Sequence, residues 1–202
     1  MKGNIRFMLV EDDQDFVFLV RRMAEREPDL ELVGCASNKD DAIRVCCELQ
    51  PDIVLMDLSL SSSGLEGIAV SREICRRTDA QVIILTSYEN PQTVVGSCVK
   101  SMASGYVFKS QFNIIADTVR KTVNGHTPQL YLINSLILAE LSPAERAVFD
   151  AILDNDTYTP SSQKTIANQK TNVYKKLGVK NQNELLHLWS RRMRYEACYI
   201  DD

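Results

Sequence analysis

Between Ile5 and Gly125 five short apolar runs alternate with longer stretches of helical periodicity. In chain order the runs are IRFMLV, LELVGCA, DIVLMD, QVIILTS and GYVFK. Runs this short and this continuously hydrophobic suit strands covered by helices on both faces. Strand followed by helix, repeated, predicts a parallel sheet with right-handed crossovers. The expected fold class is therefore α/β, a five-stranded parallel doubly wound sheet, with a small all-α domain after it. Open sheets of this kind place their chemistry beyond the carboxyl ends of the strands. At those ends the sequence supplies Glu11 and Asp12 after the first run, Asp57 on the third, Thr86 on the fourth and Lys109 on the fifth.

Local signals agree with this layout. DQDFVFLVRRMAERE puts Phe16, Val20 and Met23 on one helical stripe, with Arg21, Arg22 and Arg26 off it. Asn38 precedes KDDAIRVCCEL as an N-cap, with Asp41 in the first turn near the positive end of the helix dipole. NGHTP at 124–128 breaks the pattern, PQLYLINSLILAEL reads as a further apolar helix, and LSPAE opens a new element. There Ser142 serves as N-cap, Pro143 as first helical residue and Glu145 as the third residue of a capping box. TYTPSS is a turn-rich break before a helix over Ser162–Leu177 with Ile166, Val173 and Leu177 inward; NQNELLHLWSRRMRY forms the last helix. The expected division is a first domain over 1–124, a linker helix over 125–140 and a second domain over 141–202.

Composition narrows the setting. No stretch approaches the ~20 apolar residues of a membrane span, and the apolar run FMLV after the start is too brief for a signal-peptide core. A cytoplasmic protein without a membrane partner is expected. Six cysteines lack CxxC spacing, and five lie in apolar-periodic segments, so they read as reduced structural thiols; the vicinal Cys46 and Cys47 leave a redox role open. Residues 1–140 carry 14 Lys+Arg against 19 Asp+Glu, whereas residues 141–202 carry 9 against 8. Between Ser161 and Asn183 stand five lysines and no acid, a segment that suits either a polyanion or a solvated helix face.

An aspartate at a strand end can attack phosphorus if a divalent cation neutralises the incoming charge and a fixed cation holds the phosphoryl oxygens. Asp57 is the nucleophile in that scheme. Asp12, Asp57 and the carbonyl of Ser59 would bind Mg²⁺, with Glu11 acting through water, while Lys109 and Thr86 contact the phosphoryl group. His126 and His187 stand apart from the acids and no Ser-His pairing is visible, so an enzyme acting on an external substrate is not expected.

From Ile5 to about Asn124 these residues resemble the receiver domain of two-component response regulators, with Glu11, Asp12, Asp57, Thr86 and Lys109 falling in order on its motif positions. The resemblance implies phosphoryl transfer from a sensor histidine kinase to Asp57, Mg²⁺ as cofactor, and Tyr106 as the aromatic that swings when the Thr86 hydroxyl moves. One stretch departs from the pattern. DLSLSSSGLEGI has Ser61 where the family carries Pro, and either Gly64 or Gly67 could fill the glycine position, making the loop about one residue short or about two long.

The segment LSPAERAVFDAIL, with SQKTIANQKTNVYKKLGVKNQNEL, resembles the LuxR-type helix-turn-helix of the NarL/FixJ subfamily over most of residues 141–189. Between Leu153 and Ser162 the chain is about six residues short of the usual layout, so a supporting helix has no room there. Ala167 stands where the family commonly has Lys. Lys164, Thr165, Asn168, Lys170, Thr171, Lys175 and Lys176 are the candidate DNA contacts. Trp189, Arg191, Arg192 and Arg194 suit a dimer contact or simply the packed and solvated faces of the last helix. The resemblance implies a regulator that dimerises on activation and binds DNA; the alternative is a signalling module whose second domain binds a protein or its own copy.

Overall fold

A computed structural model of the chain describes residues 3–60, 65–125, 127–155 and 163–193. The residues divide into two compact units, Met1–Ile133 and Asn134–Asp202.

The first unit is built on five parallel strands: β1 (Ile5–Val10), β2 (Leu30–Ala36), β3 (Ile53–Asp57), β4 (Gln81–Thr86) and β5 (Gly105–Phe108), in the order β2-β1-β3-β4-β5. Helices α1 (Gln14–Ala24), α2 (Lys39–Leu49), α3 (Glu66–Arg77), α4 (Pro91–Ser101) and α5 (Ile115–Val123) make the crossovers, and a 3-10 helix over Lys109–Ile114 joins β5 to α5. The fold class is the one expected, α/β with a doubly wound parallel sheet. Alternation along the strands splits the core. Phe7, Leu9, Leu55, Ile83, Leu85 and Val107 pack with Phe16, Val17 and Val20 of α1 and with Ile115 and Val119 of α5. Met8, Val54, Met56, Val82 and Ile84, fully or almost fully buried, point to the opposite face. Every residue of β3 is buried, as a central strand covered on both sides requires.

Helix ends are fixed by the side chains the sequence offers. Asp13 accepts from the amides of Asp15 and Phe16 at the start of α1, Asn38 from that of Asp41 in α2, and Asn90 from that of Thr93 in α4. The start of α3 is held differently. The Gly67 amide donates to the Leu58 carbonyl at 3.1 Å, bringing the helix backbone against the end of β3. A Cβ at Gly67 would collide with the Asp57 carbonyl oxygen and lie 2.9 Å from the Leu58 Cα. Gly67 is thus a glycine on which the start of α3 closes against β3. Residues 61–64, including Ser61 and Gly64, lie outside the described residues.

Helix α6 (Pro128–Leu138) carries residues of both units, and the second unit contains α7 (Pro143–Leu153), α8 (Gln163–Leu177) and α9 (Gln182–Arg192). The capping box at Ser142 forms: Glu145 N–H donates to Ser142 Oγ at 3.3 Å and Ser142 N–H to Glu145 Oε2 at 2.8 Å. Lys176 Nζ of α8 reaches the same carboxylate oxygen at 2.6 Å and the Glu140 carbonyl at 3.0 Å. Phe149 and Trp189 meet edge to face at 5.1 Å, with the Arg192 guanidinium over the indole and also donating to Asn134 Oδ1 at 2.8 Å. Trp189 is therefore a core residue of this unit and Arg192 part of its packing. Arg194 and residues 156–162, which make up most of the shortened stretch between Leu153 and Ser162, lie outside the described residues.

Two outcomes follow from these contacts. Gly67→Ala overpacks a site walled by backbone and is expected to cost about 1–3 kcal/mol, read as a lowered thermal midpoint. The hydrogen bond from Lys176, followed by that from the Ser142 amide, holds the Glu145 carboxyl below its ordinary range. Its ionised form is what the fold favours, so this contribution is complete above pH ~4.5 and is lost as pH falls through the lowered value. Glu145→Gln should cost about 1–2 kcal/mol at pH 7 in denaturant unfolding, and the cost should shrink toward pH 3.

Candidate functional site

The strand order reverses between β1 and β3, and open α/β sheets bind their ligands beyond the carboxyl ends of the strands at such a point. Parallel pairing of Val10 with Met56 brings the residues that follow them, Glu11 and Asp57, to the same edge. One carboxylate oxygen each from Glu11, Asp12 and Asp57 lies within 4.8 Å of the others. Glu11 is 1% exposed and Asp57 4%, whereas Asp12 is exposed at the mouth.

Two buried carboxylates so close together need a counter-charge. Lys109 provides it. Its Nζ lies 2.6 Å from Glu11 Oε2 and 3.1 Å from Asp57 Oδ2, and 5.0 Å above the centre of the Phe16 ring. Phe112 braces that ring edge to face at 5.8 Å. Burial pushes the Glu11 carboxyl above its ordinary range, and the nearby Asp57 charge pushes the same way, against the Lys109 hydrogen bond. Burial also acts to lower the Lys109 ammonium, but the hydrogen bond to Glu11 and the two carboxylate charges outweigh it and leave it raised. The lysine thus stays charged.

The sequence-derived site residues are placed as follows. Glu11, Asp12, Asp57 and Lys109 meet at one point. Thr86 ends β4 beside β3, fully buried, and its Oγ1 accepts from the Tyr88 amide at 2.9 Å. Tyr106 lies on β5, paired in register with Ile84, half-buried and edge to face with Phe108 at 5.8 Å. The Ser59 hydroxyl donates to the Tyr88 hydroxyl at 3.3 Å. Tyr88, together with the aromatic pair Phe16 and Phe112 beneath Lys109, escaped sequence reasoning, which took Phe16 only as core. An aromatic two residues beyond a strand-end threonine was the available signal for Tyr88.

Three hard oxygen donors with an exposed member suit a small divalent cation, which prefers carboxylates and retained water. Burial pushes Cys46 up to about 11 and Cys98 up to about 12, so both are protonated near neutrality.

In the second unit, helix geometry sorts the seven candidate DNA contacts. At about 100° per residue, Lys164, Asn168, Thr171 and Lys175 fall on one exposed sector of α8, opposite the buried Val173 and Leu177. Thr165 is exposed at its border. Lys170 and Lys176 do not share that sector: Lys170 Nζ lies 3.4 Å from Gln182 Oε1, and Lys176 is engaged with Glu145 and Glu140.

LiaR of Bacillus subtilis, a transcriptional regulatory protein, is 33% identical over 123 residues, 60% of this chain and 57% of LiaR, so the match spans little more than half of that relative. The uncharacterized transcriptional regulatory protein YvfU of the same organism is 27% identical over 191 residues, 89% of this chain and 94% of YvfU. Among solved structures, the response regulator RcsB of Salmonella typhimurium is similar in fold, with 24% identity, a TM-score of 0.55, and coverage of 98% of this chain and 100% of that one. Residues 7–120 match the response regulator receiver domain, a span that takes in Glu11, Asp12, Asp57, Thr86 and Lys109, and the chain belongs to that family.

Proposed function

We propose that this chain is a phosphorylation-controlled response regulator of a two-component system, in which Asp57 accepts a phosphoryl group and the second unit binds DNA to regulate transcription. The observation that carries the reading is the Lys109 ammonium held between the buried carboxylates of Glu11 and Asp57, with Asp12 beside them. In the transfer, an Asp57 oxygen attacks the phosphorus of a phosphohistidine on a sensor kinase. The P–N bond breaks as the acyl phosphate forms, and the departing imidazole takes up a proton. Lys109 pairs with the phosphoryl oxygens and Thr86, whose oxygen already accepts from Tyr88, donates its own proton to them. Glu11, Asp12, Asp57 and the Ser59 carbonyl are the residues that would hold Mg²⁺, which when bound neutralises charge on the incoming group.

The new charge biases a pre-existing equilibrium of Thr86 and Tyr106 on the β4 and β5 strands, and homodimer formation follows. The exposed sector of α8, with Lys164, Asn168, Thr171 and Lys175 and bordered by Thr165, supports a helix seated in the major groove. Among the described residues no helix is long and apolar enough to cross a membrane. A cytoplasmic location accords with a partner kinase and DNA as ligands.

Incubation with Mg²⁺ and a small acyl phosphate should add one phosphoryl mass to the chain. Asp57→Asn, or chelation of the cation, should abolish the gain; its persistence in Asp57→Asn would put the acceptor elsewhere. Selection of bound fragments from sheared genomic DNA should return a paired motif. On that motif Lys175→Ala and Lys164→Ala should each lower the salt slope of affinity by about 1, whereas Lys176→Ala should leave the slope unchanged and act through stability. No enrichment in either phosphorylation state would favour a second unit that binds protein.

A further inference from the structure

Among the described residues β5 is an edge strand, paired only with β4, so it offers backbone groups on its outer side that no strand pairs. One of them is taken by a side chain from another element. The Tyr106 amide donates to Gln129 Oε1 at 3.0 Å, and Gln129 stands in the first turn of α6. The approach depends on the neighbouring residue: a Cβ at Gly105 would lie 2.8 Å from that same oxygen. Thr122 of α5 faces the same place, its Oγ1 3.9 Å from the position of that Cβ. Thr122 is 1% exposed, and its hydroxyl has no hydrogen-bond partner among the described residues. A buried hydroxyl left without a partner is costly and calls for an explanation.

These observations define a polar corner where β5, α5 and α6 meet, with one amide side chain and two groups able to bind it. We propose that Gln129 is a latch that ties α6 to the strand carrying Tyr106, and that the Thr122 hydroxyl is its second position. The inference rests on the proposed reading of Tyr106 as the switch aromatic. With the Tyr106 amide in place, Gln129 Oε1 accepts from it. When β5 shifts with Tyr106, the amide side chain passes to Thr122 Oγ1, and the first turn of α6 moves with it. Because α6 continues from the first unit into the second, a change at Asp57 reaches the output through this helix. The two partners give the element two discrete arrangements rather than a continuum, as a switch requires.

The test is hydrogen exchange of the full chain with and without Mg²⁺ and a small acyl phosphate, with intact mass followed in the same samples. Wild type should gain the phosphoryl mass and change the exchange of the α6 amides. Gln129→Ala, a half-buried position that tolerates truncation, should gain the same mass, lose protection at the Tyr106 amide, and show identical α6 exchange in both states. Thr122→Val, nearly isosteric, should gain the mass while α6 keeps its unphosphorylated pattern. An α6 response in Gln129→Ala equal to wild type would overturn the latch, and a full response in Thr122→Val would overturn its second position. Absence of the mass gain in wild type would instead overturn the phosphoacceptor reading, and the latch with it.

Discussion

The contact between Lys109 and the two buried carboxylates organises the first unit. Glu11 and Asp57 are brought together by the register of β1 on β3, and neither can leave that edge without breaking the centre of the sheet. Burying two like charges side by side is costly unless a cation stands between them. Lys109 reaches them from the end of β5, across β4, over a platform of Phe16 and Phe112. The site thus links three strands and the faces of α1 and the 3-10 helix. Its electrostatic balance changes whenever a cation or an anion enters.

That dependence explains why the surrounding backbone is so constrained. Gly67 lets α3 begin directly against the Asp57 carbonyl, fixing where the Asp57 carboxylate sits. Gly105 lets Gln129 reach the outer edge of β5. Both glycines serve close approach, one beside Asp57 and one at the edge strand β5. The second unit uses a different device, a single glutamate that completes a capping box and also holds a lysine of the next helix, so Glu145 joins α7 to α8.

Much of this could be read from the sequence because it lies in patterns with a physical period. Continuous apolar runs gave the strands, their polar ends gave Glu11, Asp12, Asp57, Thr86 and Lys109, and the Ser142, Pro143 and Glu145 triplet gave the start of α7. What escaped is what depends on distances between segments far apart in the chain. A count along the chain leaves Gly64 and Gly67 both open, whereas the close approach of Gly67 to the Asp57 carbonyl is visible only once α3 packs on β3. Lys175 and Lys176 are adjacent and alike, yet a step of about 100° leaves one in solvent and turns the other toward Glu145. The Gln129 contact joins residues 23 apart through a backbone amide, for which no side-chain pattern exists.

The proposed function requires Asp57 and Lys109 to form one site for a phosphoryl group and a cation. A crystal structure of the chain grown with Mg²⁺ and beryllium fluoride examines that directly. The expected density is a beryllofluoride group on the Asp57 carboxylate, the Lys109 ammonium and Thr86 hydroxyl on its fluorines, and a cation among Glu11, Asp12 and Asp57. An Asp57 side chain left bare under those conditions, with Lys109 still bridging Glu11 and Asp57, would contradict it.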